Sequence, residues 1–153
     1  AVIAESGPQR DALWKLRETV PEAERHLGGS IKHDISVRVS RIPAFIAAAA
    51  TRLEKISPHR LSVFGHIGDG NLHFNVLPPD GVDIVSLPEE AISSVVYDLV
   101  NELGGSFSAE HGVGVLKREQ LVRFTSESTL DAMRLIKQAL DPQGIMNPGK
   151  VLG

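Results

Sequence analysis

The residues best equipped for chemistry lie in one stretch, Phe64-Gly65-His66-Ile67-Gly68-Asp69-Gly70-Asn71-Leu72-His73-Phe74-Asn75. Asp69-Gly70 between two alternating runs predicts a β-hairpin with a two-residue type I′ turn, because both central positions of that turn need positive φ. Such a turn pairs Gly68 with Asn71, Ile67 with Leu72 and His66 with His73. Directly opposed side chains have Cβ atoms roughly 4.5–5.5 Å apart, so these two imidazoles could share a cation. The alternation agrees. Leu61, Val63, Ile67, Leu72, Phe74 and Val76 fall on one face, and Ser62, Phe64, His66, His73 and Asn75 on the other. A slip of one residue would mix the two sets. The plainer reading is that these histidines are merely outward polar residues of a half-exposed sheet.

A metal wants more than two nitrogens. With no cysteine in the chain, further ligands must come from His, Asp or Glu. Acid and imidazole adjoin again near a strand end in Ser108-Ala109-Glu110-His111-Gly112. Glu110 would complete a set of two histidines and one carboxylate with positions left open for substrate or water. His111, pointing elsewhere, would then be free to act as a base. Against this stands a solvated strand-to-helix turn, with Gly112 and Gly114 as its turn residues.

The positioning elements follow from period and punctuation. Pro8 to Leu27 suits a helix capped by Ser6, with Pro21 breaking or kinking it and Gly28-Gly29 ending it. Asp34 to Val39 reads as a strand, and Pro43 to Ile56 as a helix with proline in its first turn. Arg60 to Ile67 and Leu72 to Leu77 are the hairpin strands, Pro88 to Leu103 an amphipathic helix, and Ser106 to Ala109 a short strand. Helices over about Gly114 to Phe124 and Ser128 to Leu140 precede an irregular Asp141-Pro142-Gln143-Gly144 tail. The order strand, helix, strand, strand, helix, strand is the split βαβ, ferredoxin-like arrangement. The expected fold is α+β: a βαββαβ antiparallel sheet with an N-terminal helix and two C-terminal helices, one domain over residues 1–153.

Composition sets the outer bounds. The chain has 153 residues, 42% hydrophobic and 23% charged, with a net charge of −3. That balance offers no basic patch for nucleic acid. No apolar run approaches the roughly 20 residues that cross a bilayer, and no signal peptide is visible. The location expected is cytoplasmic, with peripheral membrane association or an organelle left open. The chain starts Ala1-Val2-Ile3 without Met, as if excised from something longer.

Three segments, GHIGDGNLHFNV at 65–76, SAEHGVGVLKR at 108–118 and DPQGIMNPGKVL at 141–152, resemble the C-terminal domain of the FAD-linked oxidases of the vanillyl-alcohol oxidase superfamily. LWKLRE at 13–18 and KHDIS at 32–36 extend the likeness over nearly the whole chain. The branch most similar holds D-lactate dehydrogenase, the glycolate oxidase D subunit and D-2-hydroxyglutarate dehydrogenase. The resemblance implies that His66, His73 and Glu110 ligate a divalent metal, Zn²⁺ or Mn²⁺, and that His111 is the catalytic base beside the flavin. It implies that Arg17 and Lys32 hold substrate carboxylate, that Asn75 lies near metal and substrate, and that Asn147 closes on the flavin. Chelation of a 2-hydroxy acid would lower its hydroxyl pKa, and His111 could take that proton while the Cα hydride passes to FAD. Pro21 departs from the small hydroxylated residue that some acid-specific members carry there. No strand-turn-helix dinucleotide fingerprint is present, so FAD would be bound mainly by an N-terminal flavin domain, the expected partner, and the chain alone should not turn over. Two other readings stay open, a metal-dependent hydrolase and a non-catalytic assembly module, as does homo-oligomerisation.

Overall fold

The computed structural model describes residues 2–66 and 68–152. Three strands, β1 (Ile31–Ser36), β2 (Arg60–His66) and β3 (Asn71–Leu77), form an antiparallel sheet in the order β1-β3-β2. Among the described residues six α-helices surround it: α1 (Gly7–Glu18), α2 (Val20–His26), α3 (Ile42–Leu53), α4 (Glu89–Glu102), α5 (Arg118–Phe124) and α6 (Glu127–Leu140). This is an α+β fold of the expected split βαβ type.

The long N-terminal helix of the sequence reading is two helices. Ser6 caps α1 by accepting from the Gln9 amide, and the break falls at Thr19. Pro21 cannot continue α1, since its ring would meet the carbonyl four residues back. In the first turn of α2 its missing N–H costs nothing. Likewise α5 begins at Arg118 rather than Gly114, because Gly114 has φ +55° and leaves the helical region.

The fourth strand expected at Ser106–Ala109 is reduced to one antiparallel bridge, in which Ser36 and Ser106 exchange both backbone bonds at 2.9 Å. Beyond it Ser106 Oγ accepts from the Ser108 amide and donates to the Ser108 carbonyl, so the side chain takes backbone groups that a ladder would use. The bridge still lies beside β1, which preserves the ferredoxin-like order.

The hairpin register also differs from the reading. His73 pairs with Phe64 rather than His66, Leu72 with Gly65, and Asn71 with His66. The connection is residues 67–70, not a two-residue turn. The Asp69 carboxylate accepts from the Asn71 amide and the His66 carbonyl accepts from the Gly70 amide, which closes the wider loop. Because the offset is two residues, each side chain keeps its expected face. Ile67, assigned to the core face, lies outside the described residues.

The core occupies one side of the sheet. Ile31, Ile35, Leu72, Phe74 and Val76 bury against Phe45, Ala49 and Leu53 of α3 and Ile92, Val96 and Val100 of α4. Fully burying an aliphatic or aromatic side chain of this kind stabilises by roughly 1.5–3 kcal/mol. Phe45 and Phe74 meet edge to face, centroids 5.3 Å apart. His33 is the polar member of this side, its Nδ1 bonded to the Phe74 carbonyl and its Nε2 to Ser93 Oγ. Both large helices of the sheet lie on this side, which leaves the opposite face open for a site.

Candidate functional site

The register fixes what the open face carries. Lys32, Asn75 and Ser62 form one row across the three strands, Asp34, His73 and Phe64 the next, and Ser36, Asn71 and His66 the third. Alternation on each strand puts these nine residues together because every neighbour between them turns to the core.

Asp34 organises the middle row. It is 3% exposed, and its Oδ2 accepts from the amides of Ala109, Glu110 and His111 at 3.3, 2.8 and 2.7 Å, while Oδ1 accepts from Asn71 Nδ2 at 2.8 Å. Consecutive amides aimed at one carboxylate bend residues 109–111 over the sheet, which is why Glu110 and His111 reach His73. Lys117 adds a clamp, its Nζ donating to the carbonyls of Phe107 and Asp34. Burial pushes the Asp34 carboxyl up, but the bonds from the His111 amide and Asn71 outweigh it, and its pKa lies below the ordinary value. Burial also holds Lys117 below the usual lysine range, against the pull of Asp34.

His73 Nε2 stands 3.1 Å from Glu110 Oε1, and His111 Nε2 stands 3.7 Å from the same oxygen. The Nδ1 atoms of both rings face Asp34, each at 3.9 Å. Asp34, His73, Glu110 and His111 thus offer ligand atoms that all lie within 4.8 Å of one another. Burial lowers the His73 pKa more than the neighbouring carboxylates of Glu110 and Asp34 raise it, which favours the neutral ring that metals bind. Asp34 already accepts four hydrogen bonds, so the free donors are His73, Glu110 and His111. Two imidazoles and a carboxylate suit Zn²⁺, Mn²⁺ or Fe²⁺. The donor set fits a divalent ion.

His66 stays outside this group. Its ring lies 6.1 Å from that of His73, centroid to centroid, with Nδ1 3.5 Å from Asp69. Arg17 of α1 lies over the Phe64 ring, 4.4 Å from its centroid. Arg17, Pro21, Glu24, Lys32, Asp34, Phe64, His73, Asn75 and His111 line one cleft of about 270 Å³. The structure therefore gathers Arg17, Lys32, His73, Asn75 and His111 in one cleft, with Glu110 beside them and His66 one row away. Asn147 is exposed in the C-terminal tail, at φ 50°, and is not among the lining residues. A larger groove of about 760 Å³ runs between α5, α6 and the tail. Two of its arginines are committed to acids, Arg123 to Asp98 and Arg134 to Glu127 and Asp131.

The sequence reading missed Asp34, Glu24 and Asn71. Asp34 was findable: an acid two residues after Lys32 shares its face once β1 starts at Ile31. Nothing in the sequence marks Glu24, a buried carboxylate of α2 that accepts from Asn75 Nδ2 and Ser30 Oγ.

The fold is a split βαβ domain whose open face carries Arg17 and Lys32 beside an acid–imidazole group. The chain belongs to the family of FAD linked oxidases, C-terminal domain, whose family model matches residues 1–151. It is 40% identical to a D-2-hydroxyglutarate dehydrogenase of Stutzerimonas stutzeri over 98% of this chain and 33% of that protein. It is 37% identical to a mitochondrial D-2-hydroxyglutarate dehydrogenase of Danio rerio over 98% of this chain and 27% of that protein. A D-2-hydroxyglutarate–pyruvate transhydrogenase of Saccharomyces cerevisiae is 31% identical over 99% and 32% respectively. The chain spans a third or less of these relatives. Among the described residues no helix is long and apolar enough to cross a membrane.

Proposed function

We propose that this chain is the substrate-side domain of a FAD-dependent dehydrogenase that oxidises a D-2-hydroxy acid to the 2-oxo acid. The observation that carries the reading is the single cleft in which Arg17 and Lys32 stand beside His73 and His111, with Glu110 at its edge. The family's tie to FAD and the relatives' names supply the reaction class and the first acid to try, D-2-hydroxyglutarate.

Arg17 would clamp a substrate carboxylate with its planar fork, held flat by Phe64, and Lys32 would add a point charge. His73, Glu110 and, from the next row, His66 would hold the divalent ion, which leaves His111 free as the base. When bound, the ion supplies Lewis acidity at the substrate hydroxyl and the flavin supplies the hydride acceptor. His111 would receive the hydroxyl proton as the Cα hydrogen leaves with its electron pair. Asp34 would hold the 109–111 loop, and with it Glu110 and His111, over His73.

The test uses the full-length parent protein loaded with Zn²⁺ or Mn²⁺. Reduction of an artificial dye is measured with D- and L-lactate, malate and 2-hydroxyglutarate. A D-specific rate is expected that falls by roughly 10²-fold or more after chelation or in His73→Ala, and in His111→Ala with metal content kept. A chelated or His73→Ala protein that keeps its full rate sinks the metal assignment. A parent that oxidises none of these acids sinks the reaction.

A further inference from the structure

Asn71 Oδ1 is buried and has no hydrogen-bond partner among the described residues. The amide cannot turn round to relieve it. Nδ2 donates to Asp34 Oδ1 at 2.8 Å and to the Ile35 carbonyl at 3.2 Å, and a turned amide would set its oxygen against both acceptors. A buried acceptor left bare calls for a donor, and since this one is screened from solvent the donor must be a side chain beside it. His66 stands directly opposite Asn71, on the same open face. Its ring makes no hydrogen bond among the described residues, and its Nδ1 is 3.5 Å from Asp69, beyond good bonding distance. Directly opposed Cβ atoms lie roughly 4.5–5.5 Å apart, a span that His66 Nδ1 and Asn71 Oδ1, each attached to its own Cγ, can close. Nε2, on the far side of the ring, is then left for an ion shared with His73 in the next row.

We propose that Asn71 is a positioning residue of the metal site: its Oδ1 accepts the Nδ1 hydrogen of His66, which fixes the tautomer and turns Nε2 toward His73 and Glu110. This rests on the metal reading above. Asn71 then serves both sides of the site. Its Nδ2 holds Asp34, and through Asp34 the 109–111 loop that carries Glu110, while its Oδ1 holds His66. Only the second service acts through His66, so the two can be told apart.

The experiment measures the Zn²⁺ affinity of the full-length parent, of Asn71→Ala, of His66→Ala and of the double variant, by competition with a chromogenic chelator. Asn71→Ala is expected to weaken Zn²⁺ binding roughly tenfold or more beyond its effect in the His66→Ala background, the order of one lost outer partner of a ligand. A loss that runs only through Asp34 and its loop is the same in both backgrounds. A second measurement leaves Asn71 in place and decides the matter should its variant not fold. In the Zn²⁺-loaded parent carrying isotope-labelled histidine, the His66 ring signals are assigned by their absence from His66→Ala. They are expected to show Nε2 bound to metal and an Nδ1 hydrogen that exchanges slowly with water. Equal losses in the two backgrounds, a His66 ring bound through Nδ1, or a freely exchanging Nδ1 hydrogen overturns the proposal. A His66→Ala protein with the parent's Zn²⁺ affinity removes His66 from the site and the proposal with it. A parent that takes up no Zn²⁺ overturns the metal reading itself.

Discussion

Asp34 shows how much one buried carboxylate can organise. It joins β1, the Asn71 side chain and three consecutive amides of residues 109–111, and hydrogen bonds to a charged group are the stronger kind. Asp34→Asn keeps the shape but sets an NH₂ group against donors. It is expected to destabilise the fold by about 3 kcal/mol and to speed amide exchange at Glu110 and His111 ahead of the core strands. Unchanged exchange there would show that the loop holds itself. His33 makes the opposite kind of prediction. Burial lowers its pKa to about 4, more than its bond to the Phe74 carbonyl raises it. The unfolded ring, near 6.5, binds a proton first as pH falls. The stability it contributes is thus full above about 6.5 and is lost down to about 4, some 3 kcal/mol in all. Urea midpoints at pH 7 and 4.5 should fall accordingly, and less steeply in His33→Gln.

At the scale of elements, the hairpin is decided by its loop. Gly70 has φ +77°, and a Cβ there would lie 2.0 Å from the Val37 carbonyl oxygen, while its own carbonyl accepts from the Val37 amide. The loop is thus stitched to the end of β1, a contact far away in sequence. Gly70→Ala is expected to cost at least about 2 kcal/mol through strain and the clash. Gly68→Ala, where a Cβ meets nothing within 4 Å, should cost under about 0.5 kcal/mol. Equal costs by denaturant titration would contradict this account. The same tie explains why Asp69-Gly70 misled: a local turn rule sees two residues, whereas pairing with β1 on the far side of β3 selects the wider loop. Strand four failed for a related reason, since Ser106 and Asp34 take the backbone groups a ladder would have used.

At the scale of the molecule, α3 and α4 cover one sheet face and leave the other to α1, α2 and the 109–111 loop, so the acid–imidazole group is assembled wholly within this chain. The isolated 153-residue chain is therefore expected to take up about one Zn²⁺ without any flavin, and His73→Ala to abolish that uptake. Titration with elemental analysis decides it, and an intact chain that takes up none would place an essential ligand elsewhere.

What the sequence alone determined was periodic and local: the α+β order, both faces of the hairpin, the breaks at Pro21 and Gly28-Gly29, and the residues His66, His73, Glu110, His111, Arg17, Lys32 and Asn75 as candidates. Side-chain faces survive a register error of two because a strand alternates with period two. The tertiary structure decided which candidates meet. Whether His73 sits nearer His111 than His66, and whether Asp34 and Glu24 turn toward the site, depends on hydrogen bonds between residues far apart in the chain. Those bonds form only once the strands are paired and the helices have chosen a face, and no local pattern encodes them.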